Sequence, residues 1–172
     1  GALPYNTVDN TNLYVDDYNG SPGSGCGSTS AYLGGDDVVY AYTATADTTI
    51  NFAISGAGTY SGMFLYTSCS NIGTSCVAGA INGAAGGNFD FDYNVTNGQT
   101  YFVVISTWPT PQSTAYTLDI REVLCADPSG LAVSNITTTT ADLSWTDNNT
   151  TATSNWNLEV LLSGTTPTNM AT

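Results

Sequence analysis

Between Gly34 and Ala46 the chain reads GGDDVVYAYTATA, and this alternation constrains the fold more than any other stretch. Val38, Tyr40, Tyr42 and Ala44 occupy one phase; Val39, Ala41 and Thr43 occupy the other. A two-residue period of β-branched and aromatic side chains describes a strand whose two faces meet different surroundings. The acidic pair Asp36-Asp37 stands where a loop becomes what reads as a central strand. Ile50, Phe52 and Ile54 repeat the pattern, as do Tyr101, Val103 and Ile105, and then Tyr116, Leu118 and Ile120. In Gly62–Thr67, Met63 and Leu65 fall on one face and Phe64 and Tyr66 on the other. Asn97-Gly98 and Trp108-Pro109-Thr110-Pro111 separate these runs. Short strands punctuated by turn dipeptides, with no 3.6-residue periodicity, predict an all-β sandwich.

Charge excludes several partners. The 172 residues carry one basic side chain, Arg121, against 14 acids, a formal charge of −13. A phosphate backbone is repelled by such a surface, and one cation cannot supply the contacts that bind it, so nucleic acid is excluded. Anionic membranes are disfavoured for the same reason, and no run approaches a membrane span. Histidine is absent, which removes Ser-His-Asp and Cys-His relays and His-ligated zinc. Glutamate occurs only at Glu122 and Glu159, and the aspartates cluster beside Gly and Asn, so an enzyme is not expected. Divalent cations are the natural partners of this field.

Four cysteines suit an oxidising compartment and an exported, extracellular chain. Cys69 and Cys76 bracket the polar tip SNIGTS, a spacing that predicts a hairpin-end disulfide and leaves Cys26 to pair with Cys125. Tyr18–Gly35 is Gly/Ser-rich and reads as irregular, and Leu3–Asp17 as an opening edge strand and loop. Val77–Asn88 reads as a small, Gly-rich connection. At Leu124 the texture changes: Leu131 and Val133, Leu143 and Trp145, then Trp156, Leu158 and Val160 mark three strands of a second unit. The expected domains are therefore 1–124 and 125–172.

Two resemblances follow from particular residues. Pro128–Trp145, PSGLAVSNITTTTADLSW, is similar to the first half of a fibronectin type III domain. Gly34–Ala44, Met63–Cys69, Asn97–Thr107 and Ala115–Ile120 together resemble the bacterial pre-peptidase C-terminal type of jelly-roll module. These resemblances imply a jelly-roll-like sandwich followed by a partial immunoglobulin-like one. The implied setting is a large secreted or cell-surface bacterial protein, with the chain as an adhesin-like interaction or spacer module. An accessory carbohydrate-binding domain of a secreted hydrolase is the alternative. Partners under these readings are a surface glycan or protein. The second unit would be completed by further domains of the same chain or by a neighbouring chain.

Candidate sites are few. Asp36 and Asp37 read either as Ca²⁺ ligands with Asp9, Asp16 or Asp17, or as turn and capping residues. Trp108, with tyrosines such as Tyr60, reads either as a platform for a sugar ring or as a Trp-Pro packed over the end of the sandwich. Trp145 and Trp156 read as core. Asp90 and Asp92 flank Phe91 at strand spacing and read as outward-facing. Asp47-Thr48-Thr49 resembles a bacterial O-glycan sequon, with Thr48 as acceptor, or is a plain turn.

Overall fold

The computed structural model describes residues 2–123, 127–148, 161, 164 and 165. The chain divides into Gly1–Leu124 and Cys125–Thr172. In the first unit the alternating segments become β1 (Tyr5–Asn10), β2 (Val38–Thr43), β3 (Thr48–Ala57), β4 (Ser61–Tyr66), β5 (Ala78–Ile81), β6 (Gly87–Val95), β7 (Thr100–Thr107) and β8 (Ala115–Glu122). They form two four-stranded sheets, in the orders β1-β8-β3-β6 and β2-β7-β4-β5. Every pairing is antiparallel. Apart from the β4–β5 pair, successive strands alternate between the sheets, the topology of an eight-stranded jelly roll. The first domain is therefore an all-β sandwich.

Burial of the inward phase holds the sheets together. Ile50, Phe52 and Ile54 of β3 and Leu118 and Ile120 of β8 meet Met63 and Leu65 of β4 and Val103 and Ile105 of β7. Full burial of each such side chain contributes about 1.5–3 kcal/mol. The outward phase of β4 and β7 is buried as well. Phe64, Tyr66 and Val104 form a second core with Cys26, Tyr32 and Leu33 from the long β1–β2 connection. That connection lies across the outer face of its sheet, which is why SGMFLY is buried at every position. The Tyr66 hydroxyl donates to the Pro22 carbonyl (2.8 Å) beneath it.

Three expectations are corrected here. First, β2 is an edge strand, with β7 its one strand partner among the described residues. Alternation reports that one face is buried, and says nothing of how many neighbours a strand has. Second, Val77–Asn88 contains the edge strand β5, paired with β4. Its small residues are a packing requirement: a Cβ on Gly79 would stand 2.7 Å from the Cys26 carbonyl oxygen and from the Phe64 ring. Third, Cys76 pairs with Cys26, across 50 residues with Cα atoms 5.3 Å apart, and not with Cys69. Ser24 N–H donates to Thr74 O and Cys76 N–H donates back to Ser24 O, both at 3.0 Å, so backbone pairing brings these cysteines together. Cys69 instead opens an exposed 3-10 turn, Cys69–Asn71, and has no disulfide partner among the described residues. Cys125 lies outside the described residues, so the proposed Cys26–Cys125 bridge is displaced by the Cys26–Cys76 pairing alone.

In the second unit β9 (Ser129–Ser134) and β10 (Asp142–Thr146) form an antiparallel hairpin with a register shift between Ser144 and Thr146. Leu131, Val133 and Leu143 are exposed on it. The expected third strand, with Trp156, Leu158 and Val160, lies outside the described residues.

The loop bridge is directly testable. Closing a loop of this length is worth about 4 kcal/mol in the chain-entropy model. Non-reducing peptide mapping should return a Cys26–Cys76 peptide, and Cys26→Ser with Cys76→Ser should lower stability by about 2–4 kcal/mol in denaturant titration. A Cys69–Cys76 peptide would reject the pairing.

Candidate functional site

The register of the two central strands builds the aromatic site. Ser61 of β4 faces Thr107 of β7, so the residues just beyond the pair, Tyr60 and Trp108, are neighbours. Their rings stack with centroids 5.1 Å apart and planes 20° apart. Trp108 N–H donates to Tyr60 O at 3.1 Å. Tyr32 meets the indole edge-on at 5.8 Å. The structure thus brings together both aromatic candidates, each half-buried.

Two departures from comfortable chemistry coincide there. Tyr60 has φ +56°, a left-handed conformation that an aromatic residue seldom adopts. It is held by its N–H bonding to Gly83 O (2.6 Å) and by Ser61 N–H donating to the Asn82 side chain (2.9 Å). The Trp108 Nε1–H is buried and finds no hydrogen-bond partner among the described residues. A buried orphan donor costs about 1–3 kcal/mol, and left-handed strain in a non-glycine residue costs a similar amount. Such costs cluster at sites of function.

The acidic candidates are not gathered into one centre. Asp37 is 4% exposed, and its Oδ2 accepts N–H bonds from Asp17 (3.1 Å) and Tyr18 (2.9 Å). It is a clasp that pins the β1–β2 connection to the start of β2. Burial pushes its carboxyl up to about 6, against the two N–H bonds that favour the ion; the Asp17 and Asp16 charges push the same way as burial. Asp36 N–H donates to Gln112 O (2.7 Å), and its carboxylate accepts weakly from the Gln112 amide (3.4 Å). Asp16 accepts from Asn19. Asp9 belongs to another network: its Oδ2 accepts from the Tyr14 (2.7 Å) and Tyr40 (2.8 Å) hydroxyls. The Tyr14 bond is the main reason its carboxyl lies below the usual range. Among the described residues, no three acidic or thiol groups are placed to hold a metal ion together.

The two glycines before the acidic pair are required by a close approach. Gly34 and Gly35 N–H both donate to Thr107 O at 3.0 Å. A Cβ on Gly35 would collide with Thr107 Oγ1 and stand 2.5 Å from Gln112 O.

Thr48 is not a turn residue. It opens β3, is 7% exposed, and its hydroxyl donates to Glu122 (2.6 Å), so the expected glycan acceptor is engaged inside the fold. Asp90 and Asp92 face outward and are bridged by Asn51, whose Nδ2 donates to both (2.9 and 2.8 Å). The tyrosines around Asp9 were missed in the sequence: Tyr40 hydrogen-bonds Tyr116 at 2.7 Å, across 76 residues. Only their number, 11, hinted that some would work through their hydroxyls.

No family model matches the chain, and no curated protein matches it. It is similar in structure to PliG of Aeromonas hydrophila, a periplasmic lysozyme inhibitor of g-type lysozyme. Identity is 12% and the TM-score 0.45, over 72% of this chain and 89% of that one.

Asp37 separates clasp from cation ligand. Its folded pKa lies above its unfolded value of 3.8, so the folded state holds the proton more tightly, and this contribution to stability is lost as pH rises from about 4 to about 6. The melting temperature of the wild type relative to Asp37→Asn should therefore fall across that window, by something on the order of 5 °C. Chelator should move neither protein. A constant difference would reject the titration, and a calcium-dependent rise lost in Asp37→Asn would make the residue a ligand.

Proposed function

We propose that the chain is a non-catalytic binding module of an exported, multi-domain bacterial protein, and that it recognises a glycan at the Tyr60–Trp108 stack. One observation carries the reading: a strained tyrosine and an unpartnered indole N–H meet in a single half-buried aromatic stack. Sugar rings present apolar C–H faces to aromatic planes, so the half-buried pair of rings suits a carbohydrate. The stack sits on loops anchored by the two central strands, so its rings stand on a rigid scaffold. The absence of histidine supports binding over turnover. The Cys26–Cys76 disulfide supports an oxidising compartment. The resemblance of Pro128–Trp145 to a fibronectin type III domain supports the multi-domain setting, in which an adhesin and a secreted hydrolase both use such modules.

A glycan array probed with the whole chain tests the proposal. At least one oligosaccharide class should bind, and Trp108→Ala should weaken it about tenfold, the effect of ~1.4 kcal/mol. Tyr60→Gly should retain the backbone conformation but also lose affinity, which separates the ring's role from that of the loop. An empty array, or binding indifferent to both substitutions, would overturn the reading.

A further inference from the structure

The sandwich has a second concave feature, away from the Tyr60–Trp108 stack. The inward phases of two edge strands face each other, Tyr5 and Asp9 from β1, and Tyr40 and Tyr42 from β2. Between them lies a cavity of about 120 Å³, lined by Leu3, Tyr5, Tyr40, Ala41, Tyr42 and Ile120. Tyr42 and Ile120 are buried at its base, and Tyr5, 37% exposed, stands at its rim. Its walls are mostly apolar. Tyr40 cannot swing away to fill it, because its hydroxyl is tied to both Asp9 (2.8 Å) and Tyr116 (2.7 Å). Cavities of roughly 150 Å³ with apolar walls accept groups the size of benzene, so one apolar side chain is the right scale of occupant.

The cavity adjoins a sheet edge. Ala41 lines it, although alternation turns its side chain to the opposite face from Tyr40 and Tyr42, so the opening reaches the β2 backbone. Along Val38–Thr43 one side of the backbone is paired with β7; the other side has no strand partner among the described residues. Edge strands are usually blunted by lysine, proline, a bulge or shortness. The remaining edges are: β5 spans only Ala78–Ile81, β6 carries Asp90 and Asp92 and a register shift, and β1 carries Asn6, Asp9 and Asn10. β2, VVYAYT, has no charge and no proline, and its six-residue ladder to β7 runs without a register shift. Val39 is half-exposed on it. An unblunted edge beside a pocket is the pair of features that strand addition uses: main-chain bonds give affinity and the pocket gives specificity.

Charge decides what docks. Asp36 lies just before β2, and Asp9 accepts from the hydroxyl of Tyr40 in the pocket wall. With −13 on each chain, a second copy would bring like charge to the same edge, whereas a basic segment meets complementary charge. We propose that β2 is a docking edge for an extended, basic segment of another protein, which pairs with Val38–Thr43 and seats one apolar side chain in the tyrosine pocket.

The test uses the whole chain and a displayed library of random nine-residue peptides. Selected peptides should be rich in lysine and arginine and share one apolar residue at a fixed register. Their binding, read by fluorescence anisotropy, should weaken with salt, and Tyr5→Ala should weaken it roughly tenfold. Methylating alternate backbone nitrogens of a peptide should abolish binding in one phase and spare it in the other, the signature of strand pairing. Trp108→Ala should leave it unchanged, so a failed glycan site and a failed edge are distinguishable. Because Tyr5 is at the rim, an unchanged melting curve for Tyr5→Ala excludes unfolding as the cause; if that variant melts early, the methylation phases still decide. Selection of no peptide or of acidic peptides, equal effects of the two methylation phases, or indifference to Tyr5→Ala in a folded variant would overturn the proposal. A concentration-dependent dimer lost in Tyr5→Ala would overturn it in favour of a second copy.

Discussion

Burial of β4 on both of its faces is the constraint on which most of the first domain depends. A strand covered on one side by the opposing sheet is ordinary; Phe64 and Tyr66 require a second cover, and the β1–β2 connection provides it together with Ile72 and Cys76. A long Gly/Ser-rich segment has little reason of its own to adopt one path, since fixing each residue costs about 1–2 kcal/mol of backbone entropy. It is held by a few discrete ties: the Cys26–Cys76 bridge, the Tyr66–Pro22 bond, burial of Leu33, and the Asp37 clasp on Asp17 and Tyr18. Removing one tie therefore weakens the cover and exposes the faces of the central strands together.

The same connection shapes the aromatic site. Tyr32 comes from it, and its ring contacts both Phe64 in the second core and Trp108 in the stack. Rigidity in the cover is thereby passed to Trp108, while β4 and β7 fix where Tyr60 and Trp108 begin. The strained tyrosine sits at the end of a fully buried strand, where the surrounding structure over-determines its conformation. The tyrosine pocket is built differently. It depends on hydroxyls, with Asp9 and Tyr116 locking Tyr40, so its shape rests on hydrogen bonds between strands of different sheets. Burial, and the bond Tyr116 shares with Tyr40, push the Tyr116 hydroxyl well above its usual range.

The two expected sites fared differently for a physical reason. Tyr60 and Trp108 flank strands that are themselves legible, and one antiparallel register is enough to bring them together. Four of the five aspartates lie on loops and Asp9 on β1, and each carboxylate serves whichever backbone N–H or hydroxyl comes near it. Asp37 found two amides and Asp9 two tyrosines, and neither arrangement leaves a trace in the local residue pattern. Thr48 shows the same limit: its neighbours in sequence describe a turn, and its partner Glu122 is 74 residues away.

Alternation, turn dipeptides and charge were enough, by themselves, to determine that this chain is all-β, which side chains of β3, β4, β7 and β8 share a face, that the first unit is a sandwich, and that its net charge is strongly negative. These properties are local or additive: a period of two shows in six residues, and net charge is a sum. Tertiary structure alone decided that β2 is an edge, that Ala78–Ile81 is a strand, that Cys26 meets Cys76, and that Tyr40 joins Asp9 to Tyr116. Each of these joins residues far apart in the chain through a register or a loop path. That choice is made by the packing of the whole sandwich, where the cost of closing a long loop grows only slowly with its length and so leaves many pairings open until the core selects one.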